Sequence, residues 1–145
     1  MTDNIRVVEL AWRGGMRFEG GVPGGPPVMV DADLATGPGP MHQLLMAVAA
    51  CSGADIVSIL DKMRVKLHDL RIEVRGTRRA EIPRRYVDIH LTYHMGGEGL
   101  DEARARRAID LSIERYCSVM HSLAPDIPIS YDLVLGAAPG ARSAV

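Results

Sequence analysis

Two thiols carry the chemical possibilities of this chain: Cys51, within GPGPMHQLLMAVAACSGADIVSILDKM, and Cys117, within RAIDLSIERYCSVMHSL. Each falls on the apolar face of a segment whose hydrophobic residues recur every three or four positions, the period of a helix. If those two faces pack together, sulfurs far apart in sequence can meet. If they do not, each is a small buried hydrophobe, which free cysteine usually is. Two cysteines make no disulfide framework, and in a reducing compartment a pairing between them would be transient and catalytic. No glycine run has phosphate-loop spacing, no Ser/His/Asp set has a recognisable context, and no carboxylate pair stands out.

Other groups near the thiols bear on what they could do. Asp55 follows Cys51 by one helical turn; ionised and close, it disfavours a thiolate, and the open alternative is a structural acid paired with an arginine of a partner chain. His121 follows Cys117 by four and so shares its helical face, where it could help activate the thiol or join it on a metal. A wider metal site would need His42, Cys51 and His68 to converge from separate elements, and no metal is expected. His90 and His94 fall on the polar side of a strand and Tyr116 in the core. The arginines of RGTRRAEIPRR form a solvated connection without a function.

The elements that position the thiols follow from periodicity. Ile5 to Trp12 reads as a strand, Arg13-Gly14-Gly15 as a tight turn, Met16 to Glu19 as the returning strand, and Val28 to Asp31 as a third. Pro40 is a natural first residue for a helix that runs to about Val65. Leu44, Val48, Cys51, Asp55 and Ser58 share one of its faces, and it is apolar nearly all round, so it is expected to be the central helix, buried on most sides. The period then becomes two: Leu70, Ile72 and Val74, then Val87, Ile89, Leu91 and Tyr93, mark two half-buried strands. Leu100-Asp101-Glu102 starts a second helix whose inward stripe is Ala105, Ala108, Ile109, Ser112, Ile113, Tyr116, Cys117 and Met120, ended by Pro125. Ile127 to Leu135 closes as a strand. The plan is α+β, one domain over 1–135 followed by a disordered tail over 136–145.

Composition agrees. With 145 residues, 47% of them hydrophobic, the chain can build one core, and a net charge of -1 calls for neither nucleic acid nor a charged membrane surface. The long helix has the length of a membrane span, but Asp55, Asp61, Lys62 and Arg64 make insertion costly, and Met1 to Asn4 do not begin a signal peptide. A cytoplasmic protein is expected.

The first cysteine segment resembles the first-cysteine helix of the OsmC/Ohr family, named for osmotic induction and organic hydroperoxide resistance, whose members carry a G-x-x-P-x-E-L-L-like approach to a buried cysteine. The second cysteine segment, followed by IPISYDLVL, is similar to that family's second-cysteine helix and closing strand, and Trp12 to Phe18 to its amino-terminal hairpin. The resemblance implies an OsmC-like fold in an intertwined homodimer with its sites where subunits meet. It implies a thiol-dependent peroxidase acting on small hydrophobic hydroperoxides, with Cys51 peroxidatic and Cys117 resolving. No bound cofactor is implied; an external dithiol such as a lipoyl group would reset the pair.

A thiolate near neutral pH needs a positive neighbour, which the family supplies as an arginine held by a glutamate. At the place of that glutamate this chain has His42, followed by Gln43. At about 100° per residue, His42 faces away from Cys51 while Gln43 lies closer to its side, able to hydrogen-bond an arginine but not to pair with its charge. Arg17 is the first candidate for the arginine and Arg13 the second. The alternative to an enzyme is a non-catalytic module of the same fold that binds a small lipophilic ligand at the dimer interface, and a third reading is a structural dimer with inert thiols.

Overall fold

The computed structural model describes residues 4–136, so the expected tail, Gly136 excepted, lies outside the described residues. The chain divides into two compact units, 1–44 and 45–145, with the boundary inside a continuous helix.

The first unit is an antiparallel sheet of three short strands, β1 (Glu9–Trp12), β2 (Arg17–Gly21) and β3 (Val28–Asp31), in the order β1-β2-β3. The β1–β2 hairpin turns where expected, through Gly14 and Gly15 at φ 94° and 57°, backbone that a side chain would strain. Trp12 Nε1 ties the turn by donating to Gly15 O at 2.9 Å. The first strand is shorter than its apolar run predicts, since pairing starts only at Glu9. After β3, the Asp31 carboxylate accepts from the backbone N–H groups of Asp33, Ala35 and Thr36 and from the Thr36 hydroxyl, which fixes the loop leading to the long helix. That helix, α1 (Pro40–Lys62), begins at the proline that predicts it.

The second unit contains most of α1, a three-stranded sheet and the second cysteine segment. Strands β4 (Lys66–Arg78) and β5 (Tyr86–Glu98) form a long antiparallel hairpin. Strand β6 (Ile129–Leu135), two residues shorter than expected, adds parallel to the other edge of β5. Being central, β5 supplies the core: Ile89, Leu91, Tyr93 and Met95 point to one face and are fully buried, the alternation that its sequence predicts. Helix α1 lies against this sheet. Val48, Ser52, Gly53, Ile56 and Leu60 form its buried stripe, and a Cβ at Gly53 would meet Ile72 Cδ1 of β4 at 3.3 Å.

Two expectations about helices fail for physical reasons. Helix α1 is not buried on most sides: Met46 and Val57 are 53% and 51% exposed, because the sheet of one chain covers only one flank of an all-round apolar helix. Its length and a mean hydropathy of 1.7 over 18 residues would also suit a membrane span, with 28% of that window buried. The chain leaves α1 through Arg64 at φ 61°, ending the helix at Lys62 rather than Val65.

The second helix is not continuous. Helix α2 (Glu102–Leu111), capped by Asp101 Oδ1 accepting from Arg104 N at 2.8 Å, gives way to a π-helical turn (Ser112–Tyr116). Cys117 is extended, and a short α3 (Ser118–His121) follows. The wider turn changes which residue faces inward. An α-helix would place Tyr116 below Ser112, but here Cys117 N donates to Ser112 O at 2.8 Å, five residues back. Cys117 therefore takes the buried position, fully covered, and Tyr116, expected in the core, turns out to 48% exposure.

The tightness of the sheet under α1 is testable at Gly76. A Cβ there would come within 2.4 Å of Tyr86 Cε1 and 3.0 Å of Leu45 Cδ2. Gly76→Ala is expected to lower unfolding free energy by about 1–3 kcal/mol, the usual cost of overpacking, read as a lower urea midpoint at unchanged slope.

Candidate redox site

Cys51 on α1 and Cys117 at the break after the π-helical turn meet inside the second unit. Their Sγ atoms and a carboxylate oxygen of Asp55 all lie within 4.8 Å of one another. The sulfurs are not equivalent. Cys51 is half-buried, whereas Cys117 is sealed. Because Cys117 caps α3 rather than sitting inside a helix, its Sγ accepts from Met120 N at 3.5 Å. Burial pushes the Cys117 thiol from its ordinary 9.0 up to about 11, against the pull of the Met120 N–H and helped by its hydrogen bond to Cys51 and that neighbour's charge. The buried sulfur holds its proton, and the other is the more open of the two.

Behind the sulfurs runs a row of buried hydroxyls. Tyr93 Oη of β5 is 2.7 Å from Ser52 Oγ of α1, and Ser112 Oγ of the π-helical turn is 2.9 Å from Ser52 Oγ and 2.9 Å from Asp55 Oδ2. A carboxylate only accepts and a hydroxyl has one proton, so the polarity follows. Ser112 gives its proton to Asp55, Ser52 gives to Ser112, and Tyr93 gives to Ser52. Burial raises the Tyr93 phenol to about 12, despite the Ser52 bond that lowers it, with the Cys117, Tyr131 and Asp55 charges adding to the rise. Tyr131 packs edge-on against Tyr93 at 5.8 Å between ring centroids.

Periodicity did not single out Ser52, Ser112 and Tyr93 as a network, although a signal existed. Ser112 was on the inward stripe and Tyr93 on the buried alternation, and a hydroxyl facing a core requires a partner. Asp55 was foreseen beside Cys51; its observed partner is Ser112.

The remaining candidates fall in the first unit or have partners of their own. Arg17 lies in the first unit, where its guanidinium donates to Arg13 O at 3.0 Å and Gly14 O at 3.4 Å of its own turn, and Arg13 Nε is 3.7 Å from Glu19. His42 and Gln43 also belong to the first unit, His42 exposed and Gln43 half-buried. His121 is not on the face of a helix that also carries Cys117, since Cys117 precedes α3; its Nε2 is 3.2 Å from Ile113 O. His90, expected toward solvent, is partly covered between Ser130 Oγ at 2.7 Å and Asp132 Oδ2 at 3.0 Å.

Residues 32–132 match the family described as OsmC-like protein, a stretch that holds both cysteines and Asp55. The chain belongs to the OsmC-like family. It is 38% identical over 128 residues to Protein YhfA of Escherichia coli K12, covering 86% of this chain and 96% of that protein. In three dimensions it resembles an OsmC-like protein from Mycoplasma pneumoniae at a TM-score of 0.79 with 19% identity, over 92% of this chain and 98% of that one. The organic hydroperoxide resistance protein OhrB of Bacillus subtilis matches at 0.61 with 18% identity, over 89% and 97%. The α+β architecture anticipated from the sequence is therefore the OsmC-like fold.

Two measurements probe the site. Folding holds a proton on Cys117 that the unfolded chain would release near 9.0, so the folded state binds more protons between there and about 11. Its contribution to stability is complete below that window and is lost as pH rises through it. The difference in urea midpoint between wild type and Cys117→Ala should shrink across that range; a flat difference would contradict the shift. Ser52→Ala should cost about 1–3 kcal/mol by leaving Tyr93 Oη without its partner, and adding Tyr93→Phe should recover part of the loss in a double-mutant cycle.

Proposed function

We propose that this chain is a thiol-dependent peroxidase that reduces organic hydroperoxides through Cys51 and Cys117. The observation that carries the reading is the meeting of two sulfurs, one half-open and one sealed, within 4.8 Å. The resemblance to OhrB, named for organic hydroperoxide resistance, points the same way.

The chemistry divides between the two thiols. The Cys51 thiolate attacks the distal peroxide oxygen; an S–O bond forms, the O–O bond breaks, and the departing alkoxide takes a proton to become an alcohol. Cys117 then attacks the sulfenic sulfur, an S–S bond forms, and the hydroxyl leaves as water with the Cys117 proton. A disulfide needs the sulfurs about 2.05 Å apart, so the pair must close by side-chain rotation, and the extended backbone at Cys117 gives its side chain more latitude than a helix interior would. An external dithiol, of which a reduced lipoyl group is one, returns both thiols by exchange and leaves as a disulfide. That cycle requires a reducing compartment, and the cytoplasm supplies one.

A cleft of about 440 Å³ borders Asp55 and is walled by Ile59, Met63, Leu111 and Tyr116, with Lys62 and Arg107 also lining it. Such a wall favours a hydrophobic hydroperoxide over hydrogen peroxide. The protein works as a homodimer in this reading. The uncovered apolar side of α1 in the second unit and Leu10 and Trp12 in the first, 54% and 66% exposed, are surfaces that a second copy would cover. Arg17, His42 and Gln43 remain the candidates for supporting Cys51 in the assembled protein, Arg17 as the cation.

Treating reduced protein with cumene hydroperoxide should remove two hydrogens from its intact mass. Cys51→Ser should bring hydroperoxide consumption to background, and Cys117→Ser should stop at a sulfenic acid that a cyclic dione traps. Free thiols that persist in the wild type, together with a copurifying apolar compound, would favour a lipophilic-ligand module instead. Elution as a monomer at micromolar concentration would remove the homodimer.

A further inference from the structure

The peroxidase reading has a use for two sulfurs but none for the carboxylate beside them. A negative charge opposes a second one nearby, so Asp55 works against any thiolate that forms at Cys51 or Cys117. The fold nevertheless invests in that charge. Three buried hydroxyls, from β5, α1 and the π-helical turn, are aligned so that the last, Ser112, donates to Asp55 Oδ2 at 2.9 Å. A buried hydroxyl row ending on an acceptor sustains a carboxylate in place. Two soft donors and one hard one are thus neighbours.

We propose that the reduced protein binds one zinc(II) ion per chain through Cys51 Sγ, Cys117 Sγ and a carboxylate oxygen of Asp55. All three donor atoms lie within 4.8 Å of one another. A tetrahedral zinc with donors at about 2.0–2.3 Å sets them about 3.3–3.8 Å apart, so a contraction of about 1 Å closes the set. The residues that supply it are favourable for that movement: Cys117 sits in extended backbone between two helical segments, and Cys51 and Asp55 lie one turn apart on α1. Two thiolates with one carboxylate suit zinc among the abundant divalent ions, since thiolates disfavour magnesium and calcium. Ser112 plays the part of the hydrogen-bond donor that orients a ligating carboxylate. Three protein ligands leave a fourth position for water, and one of the three, Asp55, borders an open cleft. The dication also reverses the electrostatics, because it turns a carboxylate that repels thiolates into their co-ligand.

Metal binding and disulfide formation exclude one another, since an S–S bond between Cys51 and Cys117 consumes two of the three ligands. The proposal does not depend on peroxidase activity, and its test uses no peroxide. Full-length protein, reduced and stripped with a chelator under anaerobic conditions, is titrated with cobalt(II) as the spectroscopic probe and then with zinc against a chromophoric chelator. The wild type should take up one equivalent, with sulfur-to-cobalt charge-transfer absorption and the intense visible bands of a tetrahedral ion. Cys51→Ser and Cys117→Ser should each lose the charge-transfer intensity. Asp55→Asn and Ser112→Ala should keep native circular dichroism and both weaken zinc affinity, Ser112→Ala by about 10–100-fold, the range seen when a ligand's support is removed. Absence of binding at micromolar zinc, binding that survives in the Cys51→Ser/Cys117→Ser double variant, or an Asp55→Asn affinity equal to wild type would each overturn the proposal.

Discussion

Three elements that share no backbone hydrogen-bond ladder are tied together by one row of oxygen atoms: Tyr93 on β5, Ser52 on α1, and Ser112 in the π-helical turn, ending at Asp55. In a dry interior each of these groups would be costly without a partner, and each has one. Because the last acceptor can only accept, the direction of every proton in the row is set from that end. The row therefore specifies how α1 seats on the sheet and how the second cysteine segment seats on α1. An apolar core of the same volume would hold the elements together while specifying their register less sharply.

That seating decides the position of the sulfurs. Ser52 follows Cys51 directly, so fixing Ser52 against Tyr93 also orients the Cys51 side of α1. Ser112 is the residue whose carbonyl accepts from Cys117 N across the π-helical turn, so the same residue that reaches Asp55 through its side chain places Cys117 through its backbone. A single extra residue in the turn exchanges an aromatic ring for a thiol at the buried position. Turns of this kind recur at functional sites, and here the helical segment breaks directly after the turn, at the extended Cys117.

The electrostatic character of the site follows from the same arrangement. One sulfur is sealed and keeps its proton; the other is half-open; and a carboxylate with a hydroxyl donor stands beside both. In the OsmC/Ohr resemblance the cysteine's charged company is an arginine held by a glutamate, while in this chain the group that reaches the sulfurs within the second unit is an acid. YhfA, related over nearly the whole chain, is the setting in which that difference is best pursued.

The sequence by itself determined the order of elements, the proline start of α1 and the alternation that makes β5 the core strand. These are local matters: hydrophobic period, a missing proline N–H and glycine turns act over a few residues, so they can be read without knowing what lies across the core. It also placed Ser112 and Tyr93 inward without saying what they bond. Only the tertiary structure decided that α1 is covered on one flank, that β6 joins in parallel, that Tyr116 yields its place to Cys117, and that His121 turns to a backbone carbonyl. Each of those depends on atoms from distant segments competing for the same space or the same proton, and a periodic pattern along one segment contains no information about the other competitor.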